Sequence, residues 1–232
     1  MNATSGWIVS GASVVGRDHV VLGRSAQDAL AAGATGDAAW GVVCDGCGEG
    51  AQSEVGAGLA AAFLGAELER RIGSGAPPAE VPEPAIRALV ALLADVTSAV
   101  AAGDRGRAER FVRDHLLATV VGFCARGDDG VVFACGDGAF TIDGAVTVID
   151  EDGRPSYPAY AVLSAAAAPF VVRAFSVRPG ARIAVATDGF DPALVPDAFG
   201  RPRHALRRWM NLMARAGHFR DDATIVTAER AA

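Results

Sequence analysis

Two Asp-Gly pairs in this chain sit where a carboxylate could do chemistry. Asp45-Gly46 follows the apolar run Trp40 to Cys44 and leads into Cys47 to Gln52 and a helical pattern. Asp188-Gly189 follows Ile183 to Thr187 and leads into Phe190-Asp191-Pro192, with no strand returning. A third acid, Asp221, stands just before the apolar stretch Ala223 to Ala228. Asp129-Gly130 and Asp143-Gly144 lie between runs that return at once, and both are expected to be hairpin turns. Carboxylates on strand ends that converge in space repel one another, by roughly 4 kcal/mol for unit charges about 4 Å apart at an effective dielectric near 20. A hard dication relieves that repulsion. An all-oxygen ligand set favours Mg²⁺ or Mn²⁺ over zinc or copper, and a pair of such ions can activate water for attack on phosphorus. From spacing alone, the alternative is that these are surface turn acids.

The surrounding pattern is that of an α+β protein. Trp7 to Val14 alternates as a first strand, and Asp28 to Ala34 and Ala38 to Cys44 flank a turn at Thr35-Gly36-Asp37. From Ser53, a capping residue type, to Ile72 the apolar spacing is helical. Gly73 to Pro84 reads as a loop, and Ala85 to about Ala102 as a second helix that Gly103 to Gly106 breaks. The period then changes. Leu116 to Ala125, Val131 to Cys135, Ala139 to Ile142, Ala145 to Ile149, Phe170 to Val177 and Arg182 to Thr187 read as strands of antiparallel sheet. A last helix runs from about Pro202 to Ala216 and stops at Gly217, and Ala223 to Ala228 closes the chain. The linker Gly73 to Pro84 between the two helices is too short to mark a domain boundary, so residues 1–232 are taken as a single domain.

Composition narrows the function. Acids exceed bases, 27 against 21, for a net charge of −6, which argues against a dedicated nucleic-acid binder. The residues Met1 to Ser10 lack the pattern of a signal peptide, and no apolar run is expected to span a membrane. The expected location is cytoplasmic. Cys44, Cys47, Cys124 and Cys135 are expected to be reduced thiols. Cys44-x-x-Cys47 lacks a second pair or a histidine at zinc-ligand spacing, so these thiols are read as structural.

The chain resembles the metal-dependent protein phosphatases, the type 2C serine/threonine phosphatases, and more closely their compact bacterial branch. Six segments carry the resemblance in order: Gly16 to Ala29 (GRDHVVLGRSAQDA), Val42 to Ser53 (VVCDGCGEGAQS), Ala118-Thr119-Val120-Val121, Cys135-Gly136-Asp137-Gly138-Ala139, Ala184 to Phe190 (AVATDGF) and Arg220 to Val226 (RDDATIV). The resemblance implies two stacked antiparallel β-sheets flanked by helices on both outer faces, an α-β-β-α sandwich. It implies hydrolysis of phosphoserine and phosphothreonine esters on proteins by a metal-bridging hydroxide, with two Mn²⁺ or Mg²⁺ ions. By position, Asp45 would bridge both ions, the Gly46 carbonyl would bind the second, Asp188 and Asp221 would complete the first, and Asp28 would hold a water. Asp137 falls where some members add a third, weakly bound ion; its alternative role is a tight turn. The implied partners are a phosphoprotein substrate and a serine/threonine kinase or its target, in bacterial signalling, with no nucleic acid and no membrane, and the protein itself a monomer.

The chain departs from the family's pattern at several points. Cys47 stands where many members have histidine, and is read as a spacer or a poor acid. Arg24 is the candidate for gripping the phosphate, one residue closer to Asp28 than usual, with Arg17 and His19 as alternatives. Gln27 replaces a glutamate and Asp222 an asparagine. Glu151 to Pro169 is compact where many members carry a flap. These differences motivate an alternative function, a catalytically weak or inactive phosphatase-like regulatory or binding module. Of the other histidines, His204 is read as exposed, His218 as a loop residue after the helix stop with reach to the cleft as its alternative, and His115 as opening a strand.

Overall fold

The computed structural model describes residues 6–164, 166 and 168–232. The expectations for Met1 to Ser10 and Glu151 to Pro169 therefore lie partly outside the described residues. Ten strands form two five-stranded antiparallel sheets. In chain order they are β1 (Trp7–Val14), β2 (Ala29–Thr35), β3 (Ala38–Cys44), β4 (Val120–Arg126), β5 (Asp129–Cys135), β6 (Gly138–Ile142), β7 (Ala145–Ile149), β8 (Val171–Ser176), β9 (Arg182–Ala186) and β10 (Ala223–Arg230). One sheet runs β1-β10-β9-β6-β7, the other β2-β3-β4-β5-β8. The helices are α1 (Arg17–Leu22), α2 (Glu54–Gly73), α3 (Pro82–Ala101), α4 (Arg105–Phe111), α5 (Tyr160–Leu163), α6 (Val195–Ala198) and α7 (Arg203–Arg215).

Three apolar layers hold these elements together. Val43, Phe123, Val132, Ile183, Val185 and Val226 fill the space between the sheets. Leu64, Leu68 and Ile72 of α2, with Ile86, Leu89 and Leu93 of α3, pack on the outer face of the β3-β4 sheet. Leu206 and Met210 of α7 cover the other sheet through Ala12 and Ile225. The result is the α-β-β-α sandwich expected from the sequence. Each fully buried Leu or Ile contributes about 1.5–3 kcal/mol. With few aromatic residues, the layers close by tight approach. A Cβ on Gly65 of α2 would stand 2.6 Å from the Ala31 Cβ, and one on Gly41 would stand 2.6 Å from the Phe123 ring. β3 is buried along its whole length, because a helix covers one of its faces and a sheet the other.

Several local expectations need correction. Ser53 does not cap α2 through its side chain; its backbone is already helical and its hydroxyl is buried without a partner. The break expected at Gly103 to Gly106 is shorter, because α4 already begins at Arg105 and contains Gly106; its N-cap Asp104 accepts from the Arg107 N–H at 3.0 Å. His115 does not open a strand. It lies in a π turn, Val112–Leu116, and β4 begins only at Val120. Asp129-Gly130 is not the turn. Arg126 pairs with Asp129 across Gly127-Asp128, and Gly127 has φ +55. Gly130 instead leaves room for the Phe175 ring, which any side chain there would strike. Asp143-Gly144 is a turn as read, with φ +49 and +86. Contrary to expectation, the segment Pro78–Ala101 is by length and composition long and apolar enough to cross a membrane. In the fold, Ala85, Ile86, Leu89, Leu93 and Thr97 form its buried face. All four cysteines are free; Cys44, Cys124 and Cys135 are buried and Cys47 is partly exposed. Burial pushes the Cys135 thiol up to about 12 and the other two buried thiols further.

Candidate functional site

Antiparallel pairing brings the end of one strand beside the start of its neighbour. Asp28 precedes β2 and Asp45 follows β3, joined by the Ala29–Cys44 pair. Asp137 lies between β5 and β6. In the other sheet, Asp188 follows β9 and Asp221 precedes β10, whose Ile225 pairs with Ala186. All five acids therefore gather at one end of the sandwich. Asp45, Asp137, Asp188 and Asp221 line a single cavity of about 200 Å³, together with Gln27, Gly46, Thr119 and Tyr157. Asp28 sits beneath, buried against Thr187.

Backbone bonds fix the loop that carries Asp45. The Thr119 N–H donates to the Asp45 carbonyl at 2.8 Å, Gly46 N–H to the Gln27 carbonyl at 3.2 Å, and Cys47 N–H to the Leu117 carbonyl at 3.0 Å. The Thr187 hydroxyl donates to Asp28 Oδ2 at 2.8 Å and accepts from the Thr224 N–H at 3.0 Å. A chain of hydrogen bonds thus joins Asp28 in one sheet to β9 and β10 in the other. Asp137 Oδ1 accepts from the Glu151 N–H at 2.7 Å.

The acids strain one another electrically. Burial pushes the Asp28 carboxyl up to about 7, against the nearby Thr224 and the Thr187 hydroxyl, which favour its charged form. Asp45 is raised well above the carboxylate range, first by burial and then by the charges of Asp28 and Asp188, both within hydrogen-bonding reach. Burial also raises Asp137. Asp28 Oδ1 and Gln27 Oε1 are buried with no donor. Buried acceptors without partners are costly, and oxygens crowded without donors suit a hard divalent cation. The residues present fit such an ion, and Asp28, Asp45, Asp188, Asp221 and the Gly46 carbonyl are the groups that could hold or surround it.

The residues considered for phosphate binding separate. The Arg24 guanidinium donates to the Gly48 carbonyl at 3.1 Å, at the rim of the cavity rather than in its wall. Arg17 is exposed and lies 3.6 Å from Asp18. His19 is buried, with Nδ1 2.9 Å from Asp222 Oδ2. His204 and His218 are exposed.

Asp222 is the residue that sequence reasoning undervalued. Its Oδ1 accepts from the Gly16 N–H at 2.8 Å and its Oδ2 from the Gln27 N–H at 2.6 Å. It ties α1 and the segment before Asp28 to the Asp221 loop. An asparagine offers one acceptor oxygen where Asp222 uses two. Among the described residues, His19, Asp221 and Asp222 are three metal-ligand types whose ligand atoms all lie within 4.8 Å of one another. The Asp-Asp-x-Thr spacing was the available signal, because Thr224 and Asp222 both serve the same network. Asp222→Ala will leave two backbone N–H groups without a partner and cost on the order of 2–4 kcal/mol. Asp222→Asn will cost less, and urea denaturation will rank the two.

A family model described as Protein phosphatase 2C matches residues 15–224. Solved structures share the fold across the chain. The catalytic domain of the serine threonine protein phosphatase PstP, in complex with 2 manganese ions, is 18% identical, with 97% of this chain and 99% of that one covered and a TM-score of 0.66. PppA, a key regulatory component of T6SS in Pseudomonas aeruginosa, is 20% identical, with 96% of each chain covered and a TM-score of 0.61. RsbX in complex with magnesium is 12% identical, with 96% and 94% covered and a TM-score of 0.56. No curated protein sequence matches the chain. The family model spans nearly all of it, from the first loop of the acid site to the last strand, and the chain belongs to the protein phosphatase 2C family.

Proposed function

We propose that the chain, acting as one domain over residues 1–232, hydrolyses phosphoserine and phosphothreonine esters on proteins with the help of two Mn²⁺ or Mg²⁺ ions. The observation that carries this reading is the gathering of Asp28, Asp45, Asp137, Asp188 and Asp221 at one end of both sheets, around a cavity whose deepest carboxyls cannot all stay charged unaided. Asp45 would serve both ions, the Gly46 carbonyl the second, Asp188 and Asp221 the first, and Asp137 a third, weaker one. When bound, such ions lower the pKa of water to about 7 and offset charge on the phosphoryl oxygens. Asp28 would orient water through its unpartnered Oδ1, held in place by Thr187 and Thr224. The departing serine or threonine oxygen needs a proton, and Thr119 and Tyr157 are the hydroxyl-bearing side chains in the wall. Burial and the neighbouring Cys47 raise the Tyr157 phenol above its ordinary value, so it keeps its proton. Arg24 would meet phosphate at the rim. The expected partner is a phosphoprotein, the product of a serine/threonine kinase, met by a monomer in the cytoplasm.

The test compares a generic phosphate monoester, a phosphoserine peptide and a phosphodiester, each with Mn²⁺ and then with chelator. Monoester and peptide turnover that needs Mn²⁺ supports the proposal. Equal rates with and without metal would sink it, and turnover of the diester alone would favour a phosphodiesterase. Gln27 and the outlying Arg24 favour a second reading, a weakly active regulatory module. That reading requires tight metal binding by calorimetry without turnover.

A further inference from the structure

Beside the acid cavity lies a second, larger one of about 650 Å³. The two share Cys47, Gly48, Gly153, Pro155 and Tyr157 as a common wall, so a chain whose phosphorylated residue reached the acids would run directly into this groove. Its volume falls in the range of ligand-binding clefts. The electrostatics differ from those of the acid cavity. The groove carries two exposed arginines, Arg113 and Arg154, against one acid, Glu49. Most arginines near acids in this protein pair with them, as in Arg70–Glu67, Arg87–Glu83 and Arg105–Glu109. Arg113 and Arg154 have no ion pair and no side-chain hydrogen bond among the described residues.

Both arginines are held by backbone tied to the acid site. Arg113 lies in the π turn, whose Asp114 carbonyl accepts from the Gln52 N–H at 2.9 Å, and that turn leads to Leu117, whose carbonyl holds Cys47. π turns of this kind are frequent at functional sites. Arg154 donates its N–H to the Glu151 carbonyl at 3.1 Å, and the Glu151 N–H donates to Asp137. Tyr157 and Tyr160 meet edge to face at 5.3 Å, and the exposed part of Tyr160 offers apolar contact of the kind enriched at protein interfaces. We propose, resting on the phosphatase reading above, that this groove binds the polypeptide beside the phosphorylated residue and that Arg113 and Arg154 select substrates with acidic residues there.

The experiment uses phosphoserine peptides identical except for acidic, neutral or basic flanks, with p-nitrophenyl phosphate as a substrate that cannot reach the groove. Steady-state kcat/KM on the Mn²⁺-loaded protein is expected to favour the acidic peptide over the neutral one by about three- to tenfold, the scale of two exposed charge contacts, and the preference will shrink at high salt. Arg113→Ala with Arg154→Ala will lower the ratio of acidic-peptide to small-ester kcat/KM by the same factor. Arg107→Ala, on α4 outside the groove, will leave that ratio as it is. Fluorescence anisotropy with non-hydrolysable phosphonate versions of the peptides will show the same order in Kd. Equal kcat/KM and equal Kd for all three flanks would overturn the groove assignment. If nothing is hydrolysed while the acidic phosphonate peptide still binds through the two arginines, the catalytic reading falls and the groove stands.

Discussion

Asp45→Asn is expected to reduce Mn²⁺-dependent hydrolysis of a phosphate monoester by about 10³-fold or more, the scale on which loss of a principal electrostatic group acts at such sites. The same substitution will make the metal-free protein more stable. Asp45 lies close to Asp28 and Asp188, and burial, the two neighbouring charges and the hydrogen bonds shared with those two acids all oppose its ionised form. An amide of nearly the same shape removes that penalty. The gain is expected to be about 1–2 kcal/mol, or about 2–8 °C in Tm for a chain of this size. Activity and stability moving in opposite directions is the signature of a residue kept for function at a cost to the fold. A variant that lost stability and activity together would mark Asp45 as structural. One that kept its activity would remove the acid site from the mechanism.

The second large effect is the response to metal and to pH. An ion that binds only the folded state adds RT ln(1 + [L]/Kd), about 2.7 kcal/mol at a hundredfold excess over Kd. Melting with millimolar Mn²⁺ against melting with chelator will therefore differ by several degrees. The gap should depend on pH in a definite direction. Asp28 has a folded-state pKa of about 7 against 3.8 for the ordinary carboxyl. A carboxyl raised on folding binds its proton more tightly in the folded state. Its contribution to stability is fully present below pH about 4 and is lost as pH rises toward 7. Asp45 shifts in the same direction. The chelated protein thus loses stability from this pair as pH rises, while the carboxylates become available to the cation. The gap between the two melting curves is expected to widen from about pH 5 to about pH 8. Parallel curves would mean that these carboxyls and the metal do not compete.

Much of this was legible in the residue order. Strand and helix periods located β1, β2, β3, β5 to β10, α2, α3 and α7 within a few residues, because each buries a regular face whose spacing is local information. Elements with no such face were missed. α1 exposes Val20, Val21 and Leu22, and α4 has no buried residue; neither carries a periodic apolar signal. Gly130 was misread for a related reason. Its Asp-Gly step has the chemistry of a turn, but its role depends on the Phe175 ring, which arrives from β8, far along the chain.

The residue order by itself determined which carboxylates end buried strands, since an apolar run followed by Asp-Gly and no returning strand can be read without coordinates. It also determined the α+β class. Only the tertiary structure decided which acids share a cavity, that Arg24 turns to the Gly48 carbonyl, and that Asp222 holds Gly16, His19 and Gln27 at once. The physical reason is range. Periodicity is set by neighbours a few residues away, whereas the charge on Asp45 and the partners of Asp222 are set by groups up to two hundred residues distant that meet only when the two sheets stack.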